Sequence, residues 1–253
     1  MLRSQRLRVI GGVLDRDFEV SVASLSADLG VSEMTIRRDL EELDNQGLAR
    51  RVHGGAIALS HPVRMPFPSR AKQHATEKAR IGRATAELVG KESSVILDVG
   101  TTVFYVARAL RQRSGLFVAT NSVETAVELS ASDNRVLLLG GMVYGGDQER
   151  TLVGKPAVDL VSQLKMNVLV LGAGGITTQR GLLYFSFEEV EVRAAMLKAA
   201  NTVVLAADSS KFDKQLPVAL SSIEDVDVLV TDQPLTPPYA KQFKELGVHV
   251  IVA

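Results

Sequence analysis

Apolar residues recur at helical spacing three times within the first 45 positions. Leu7, Ile10 and Leu14 form one stripe, Val22, Leu25 and Leu29 a second, and Ile36, Leu40 and Leu43 a third. Intervals of three and four residues place such side chains on one helix face. Ser21 and Ser32 stand where an N-cap accepts a backbone N–H, and Gly30 between them lets a helix end in the left-handed conformation. Gly47 closes the third stripe. Three short helices, the last two flanking a tight turn, predict a helix-turn-helix core. The stretch LARRVHGGAI at 48–57 then reads as two short apolar runs around His53-Gly54-Gly55, a β-hairpin wing.

The pattern changes past residue 75. Near-continuous apolar runs appear at 94–98, 116–120, 135–140, 167–172, 202–208, 227–231 and 248–252. Helix-length amphipathic segments at 103–110, 123–129, 157–164, 188–200 and 239–246 separate most of them. Runs without polar alternation are strands buried on both faces, so the pattern predicts a doubly wound, mostly parallel α/β domain. Between the two patterns lies SHPVRMPFPSRAKQH, with three prolines and few aliphatics, which reads as a linker. The expected organisation is a winged helix-turn-helix domain at 1–58, a linker at 59–75 and an α/β domain at 76–253.

Charge refines the first domain. Residues 1–60 carry eight arginines, no lysine and nine acids, so no uniformly basic footprint exists. The positive charge is clustered at Arg3, Arg6 and Arg8, at Arg37 and Arg38 on the third helix, and at Arg50 and Arg51 in the wing. A guanidinium fork reaches paired phosphate oxygens or the O6 and N7 of guanine. Thr35, Arg37 and Arg38 are therefore candidates for the groove or its flanking phosphates. Glu33 and Met34 at the helix start are candidates for base contact, Arg50, Arg51 and His53 for the DNA backbone, and the N-cap Ser32 belongs to the same DNA-binding set.

In a doubly wound sheet, ligands bind at the carboxyl ends of strands. The residues there are Asp98, Gly100, Thr101 and Thr102; Thr120 and Asn121; Gly140 and Gly141; Gly174 and Gly175; and Asp208 with Lys211. All are small, hydroxyl-bearing, amide or charged. A glycine and two threonines at a helix start offer backbone N–H groups and hydroxyls to one anion, and Lys211 supplies a neutralising charge, so a phosphate is the expected guest. No cysteine is present, which excludes disulfides, thiolate metal sites and a cysteine nucleophile, and the four histidines show no metal-ligand spacing. No cofactor or metal is expected. The basic start is not followed by a signal-type apolar segment, and no run reaches transmembrane length, so a cytoplasmic protein without a membrane partner is expected.

Taken together, VSEMTIRRDLEELDNQGLARRVHGGA at the N-terminus, EKARIG at 77–82, LDVGTT at 97–102, TNS at 120–122, LGG at 139–141 and ADSSKF at 207–212 resemble the DeoR family of bacterial transcriptional regulators over nearly the whole chain. The resemblance implies a repressor of a carbohydrate operon that partners operator DNA and a phosphorylated sugar effector, as a homodimer or homotetramer. It also implies a sensor domain similar to ribose-5-phosphate isomerase, which raises an isomerase-like enzyme as the rival function. Those isomerases carry an acidic turn where this chain reads Gly172-Ala173-Gly174-Gly175, leaving Glu191 as the candidate base and effector contact. Asn167 and Arg193 stand where the family more often has aspartate and lysine, which bears on the sugar end of the site.

Overall fold

The computed structural model describes residues 2–17, 19–46, 48–52, 54–58, 66–145 and 149–253, so Gly47, His53 and positions 59–65 of the expected linker lie outside the described residues. The chain divides into two compact units, Met1–Arg64 and Met65–Ala253.

The first unit runs α1 (Arg3–Asp17), β1 (Glu19–Ser21), α2 (Val22–Leu29), α3 (Glu33–Asn45), β2 (Ala49–Val52) and β3 (Gly55–Ala58). Ile10, Leu14, Val22, Leu25, Ile36, Leu40 and Leu43 from the three stripes form one core. Both N-caps are in place: Ser21 Oγ accepts from Ser24 N at 3.0 Å and Ser32 Oγ from Thr35 N at 3.3 Å. Gly30 ends α2 at φ +63°. Ser26 locks the turn that follows, its carbonyl accepting from Val31 N at 3.3 Å and its hydroxyl donating to Val31 O at 2.6 Å. The wing hairpin forms as β2 paired antiparallel with β3, and the unpredicted β1 adds to the other edge of β3.

A charged pair joins α1 to α3 inside this unit. Arg6 Nε donates to Asp39 Oδ2, and Arg6 Nη2 to Oδ1 at 3.2 Å, with both side chains buried. The hydrogen bond to Asp39 raises the Arg6 pKa against the opposing effect of burial. Arg3 extends the cluster to Glu42 at 3.1 Å. Arg6 is thus committed to the fold rather than to a DNA backbone.

The second unit opens with α4 (Phe67–Lys72) and α5 (Ala75–Glu87). Then follow β4 (Ser94–Leu97), α6 (Thr101–Leu110), β5 (Phe117–Thr120), α7 (Val123–Leu129), β6 (Arg135–Leu138), β7 (Met142–Tyr144), β8 (Thr151–Val153) and α8 (Lys155–Ser162). The chain continues through β9 (Met166–Leu171), β10 (Gly175–Thr177), β11 (Gly181–Tyr184), α9 (Phe187–Ala199), β12 (Ala200–Ala206) and β13 (Val218–Ser221). It ends with β14 (Val228–Thr231), α10 (Pro237–Glu245) and β15 (His249–Val252).

The seven predicted strands pair in parallel in the order β15-β14-β12-β9-β4-β5-β6. Alternate residues feed two cores, as a doubly covered sheet requires. Val95, Leu97, Val168 and Val170 pack with α5 and α6, whereas Ile96, Leu169 and Leu171 pack with α8, α9 and α10. On the first face α5 and α6 approach so closely at Gly82 that a Cβ there would lie 2.6 Å from the Tyr105 carbonyl oxygen. Two small antiparallel sheets, β7-β8 and β10-β11-β13, were not expected from the apolar pattern.

Residues 67–72 correct the linker assignment, because they form α4. Pro66 is its N-cap and Pro68 lies in its first turn, where a missing N–H removes no helical hydrogen bond. Phe67 meets Phe104 of α6 edge-on with ring centroids 5.2 Å apart.

Removing one partner of the Arg6–Asp39 pair leaves a buried charge uncompensated. Asp39→Ala is expected to destabilise the first unit by about 3–5 kcal/mol, read as faster amide exchange throughout α1 and α3. Asp39→Asn, which keeps an acceptor, is expected to cost less. Unchanged exchange in Asp39→Ala would show that the pair does not hold these helices.

Candidate DNA-reading helix and strand-end pocket

The exposed face of α3 presents Ser32, Glu33, Met34, Arg37 and Arg38, with Thr35 half-buried beside them. Met34 is 60% exposed, a large apolar side chain in water at the start of a helix whose other face is fully packed. Ser32 and Thr35 engage each other at 2.9 Å as part of the cap. Arg37 Nη2 lies 3.2 Å from Glu33 Oε2, one turn back, and Arg51 of the wing lies 3.8 Å from Glu41. Arg38 is exposed and makes no ion pair among the described residues. Arg50 lies in β2, where its backbone pairs with Ile57.

In the second unit the strand order reverses direction between β4 and β9, which opens a crevice at their carboxyl ends. Asp98, directly after β4, fills its floor. Its Oδ2 accepts from Gly172 N at 3.2 Å and from Arg193 Nε at 2.9 Å. Arg193 also donates to Glu189 Oε2 at 3.2 Å, and its guanidinium lies 4.1 Å over the Tyr184 ring. Tyr184 Oη donates to Gly172 O at 2.7 Å. All four side chains are buried. Burial pushes the Asp98 carboxyl up, opposed by the charge and hydrogen bond of Arg193. Burial also works against the Arg193 cation, but the charges of Asp98 and Glu189 outweigh it and hold the guanidinium protonated.

Next to this floor, Gly100 caps α6 at φ +131°, a conformation that L side chains rarely adopt. Its N–H donates to Glu149 Oε1 at 2.8 Å, and Glu149 Oε2 accepts from Arg70 Nη2 at 2.9 Å. Thr101 and Thr102 are buried in the same first turn. Lys78 of α5 is buried nearby, donating to the carbonyls of Arg70 at 2.7 Å and Gln73 at 2.8 Å. Burial lowers its pKa to about 8, with Asp208 opposing and the cations Lys211 and Arg70 reinforcing the shift. Asp208, after β12, accepts from Ser210 N at 3.2 Å and from Ser210 Oγ. Burial raises this carboxyl, but Lys211, the Ser210 hydrogen bond and Lys78 together hold it below the usual carboxylate range.

Among the described residues, the buried acceptors without a hydrogen-bond partner at this edge include Asp98 Oδ1, Asn121 Oδ1 and Asp208 Oδ2. Leaving each unsatisfied costs about 1–3 kcal/mol, which makes this edge of the sheet a candidate place for donors from a ligand. Their strands β5, β4 and β12, together with β9, are consecutive in the sheet. Thr120 at the end of β5 accepts from Ser122 N at 3.1 Å and shapes the Asn121 turn.

Other expected site residues make different contacts. Glu191 is exposed, because two positions along α9 carry it away from buried Glu189, which takes the inward place instead. Gly140 and Gly141 form the turn into β7, and a Cβ at Gly141 would meet the Val153 carbonyl oxygen at 2.4 Å, so that glycine serves packing. Gly174 and Gly175 likewise pack against Leu216 and the Lys214 backbone, while Gly172 is the residue that reaches Asp98. Asn167 bonds Ser93 and Ser94 at the amino end of β4, far along the strand from the crevice. Arg70, Lys78, Glu149 and Glu189 were not among the expected site residues. Among the described residues no group of three His, Cys, Asp or Glu side chains is placed to hold a metal, and no helix is long and apolar enough to cross a membrane.

Comparison with known proteins matches residues 6–61 to the DeoR-like helix-turn-helix domain and residues 73–233 to the DeoR C-terminal sensor domain. The glycerol-3-phosphate regulon repressor of Escherichia coli is 36% identical over 92% of this chain and 92% of its own. The transcriptional repressor AccR of Agrobacterium fabrum is 32% identical over 91% of this chain and 89% of its own. Among solved structures, ribose 5-phosphate isomerase A from Methanocaldococcus jannaschii aligns over 55% of each chain with a TM-score of 0.41 and 15% identity. The delta subunit of eIF2B from Chaetomium thermophilum aligns over 56% of this chain and 50% of its own with a TM-score of 0.42 and 17% identity. With a helix-turn-helix and a sensor domain matched in sequence along the chain, the protein belongs to the DeoR family of transcriptional regulators.

Proposed function

We propose that this regulator is a cytoplasmic repressor of a carbohydrate operon, and that a phosphorylated sugar or related metabolite bound at the strand ends of the sensor domain releases it from its operator. Three unpartnered buried acceptors beside three cations, Lys78, Arg70 and Lys211, carry the reading. The cations and the N-terminus of α6 suit a phosphate, and the acceptors Asp98, Asn121 and Asp208 suit hydroxyl donors. The name of the Escherichia coli relative makes glycerol 3-phosphate the first ligand to assay. Gly100, Thr101, Thr102, Lys78, Arg70 and Lys211 form the phosphate end. Sensing without catalysis is favoured by the helix-turn-helix domain carried on the same chain and by the position of Glu191, the expected base, which faces solvent, while Glu189 is tied to Arg193.

On DNA, α3 enters the major groove with Glu33, Met34, Thr35, Arg37 and Arg38, capped by Ser32, while the wing residues Arg50, Arg51 and His53 hold the backbone. Two such helices on repeated half-sites require a homodimer or homotetramer. Release demands that the ligand favour one arrangement of the oligomer; a hundredfold loss of operator affinity corresponds to about 2.7 kcal/mol of coupling.

Arg38→Ala is expected to weaken operator binding about tenfold and to lower the slope of log affinity against log salt by about 0.9, one phosphate contact. An unchanged slope and affinity in fluorescence anisotropy would remove Arg38 from the interface.

The lowered pKa of Lys78 makes ligand binding depend on pH. The ammonium form is the one that attracts phosphate, and the free protein loses that proton as pH rises through about 8. Phosphate affinity is therefore expected to be flat between about pH 7, where the ligand is already a dianion with its second pKa near 6, and about 8, and to fall about tenfold per pH unit above that, until the pKa of the complex is reached. Calorimetric titration with glycerol 3-phosphate across this range reads the trend, and affinity independent of pH would take Lys78 out of the site.

A further inference from the structure

The α6 N-terminus is already occupied by an anion of the protein's own. The Glu149 side chain is 0% exposed, and its two oxygens are shared between the Gly100 amide, 2.8 Å away, and the Arg70 guanidinium, 2.9 Å away. One positive helix end and one guanidinium converge on a carboxylate, an arrangement equally suited to two oxygens of a phosphate. Glu149 lies two residues before β8. The residues that follow it are held onto the end of β5: Val123 N donates to Arg150 O at 3.0 Å, and Leu152 N to Asn121 O at 2.8 Å. Asn121 Nδ2 adds a contact to Leu152 O at 3.4 Å while its Oδ1 stays unpartnered.

We propose that Glu149 is a built-in stand-in for the effector's phosphate. Its carboxylate holds the α6 N-terminus and Arg70; an arriving phosphate takes these contacts and expels it. A phosphate monoester carries close to two negative charges and three acceptor oxygens, against one charge and two oxygens for the carboxylate, so it competes favourably. Expulsion of Glu149 loosens residues 149–153 from the end of β5 and alters the β7-β8 hairpin, where Met142 is 70% and Val143 62% exposed. Phosphate binding thereby becomes a change in surface, with two discrete occupants of one anion site as the two states. This inference rests on the strand-end phosphate reading above.

The test uses the full chain with two probes, inorganic phosphate and glycerol 3-phosphate, in calorimetry and hydrogen exchange. Glu149→Gln removes the competing charge, so both probes are expected to bind about tenfold or more tightly than to the wild type. In the wild type, either probe is expected to speed amide exchange at 149–153. Tighter binding together with faster exchange supports the proposal. Binding to the wild type that Lys211→Ala weakens, with Glu149→Gln binding no tighter, overturns the role of Glu149 and leaves the phosphate site standing. Where Glu149→Gln fails to fold, the wild-type exchange decides alone: slower or unchanged exchange at 149–153 on binding overturns the proposal. No binding of either probe to any variant at millimolar concentration overturns the phosphate reading and this inference with it.

Discussion

Asp98 imposes the constraint on which the sensor domain depends. A carboxylate buried at the end of β4 must be hydrogen-bonded and paired, or it costs several kcal/mol. Arg193 and the Gly172 amide meet one oxygen, Glu189 and Tyr184 then fix Arg193, and four elements are drawn to the point where the sheet reverses. The second oxygen of Asp98 is left without a partner. One side chain thus organises the scaffold at this point, and under the proposed function its second oxygen is where a ligand donor would bind.

Around that floor the charges are arranged as a competition. Lys78 is held at the margin of protonation by burial, Asp208 is kept ionised by Lys211 and Lys78, and Glu149 neutralises Arg70 at the mouth of α6. Each group is held at some cost, and the proposed phosphorylated ligand would relieve several of these costs at once. The helix-turn-helix unit follows another logic: its core and caps fix α3, the Arg6–Asp39 pair locks α1 against it, and Glu33, Met34, Arg37 and Arg38, proposed to contact DNA, stay in water.

Both architectures are legible in the sequence, because strands buried on two faces read as unbroken Val and Leu runs and the three helical stripes need only local spacing. The short strands β1, β7, β10, β11 and β13 are not, since three or four residues paired with distant partners leave no periodic trace. The charged residues that matter most share a signal that charge alone conceals. Lys78 lies on one stripe with Ile81, Gly82 and Thr85; Asp39 with Ile36, Leu40 and Leu43; Glu189 and Arg193 with Val192 and Met196. A charge at a core position of an amphipathic helix is either paired or functional. Glu149 has no such mark, because its burial comes from tertiary contact with Arg70 and Gly100. Glu191 drew attention over Glu189 for want of that helical register.

The central claim is that the strand-end pocket controls the DNA-reading helix. The direct test is anisotropy of the chain's own upstream DNA, with wild-type protein and Lys211→Ala, titrated at fixed salt with a panel of sugar phosphates that includes glycerol 3-phosphate. One phosphate is expected to release DNA from the wild type and to act far more weakly on Lys211→Ala. Equal release from both proteins, or conversion of the phosphate without any effect on DNA, would contradict the account.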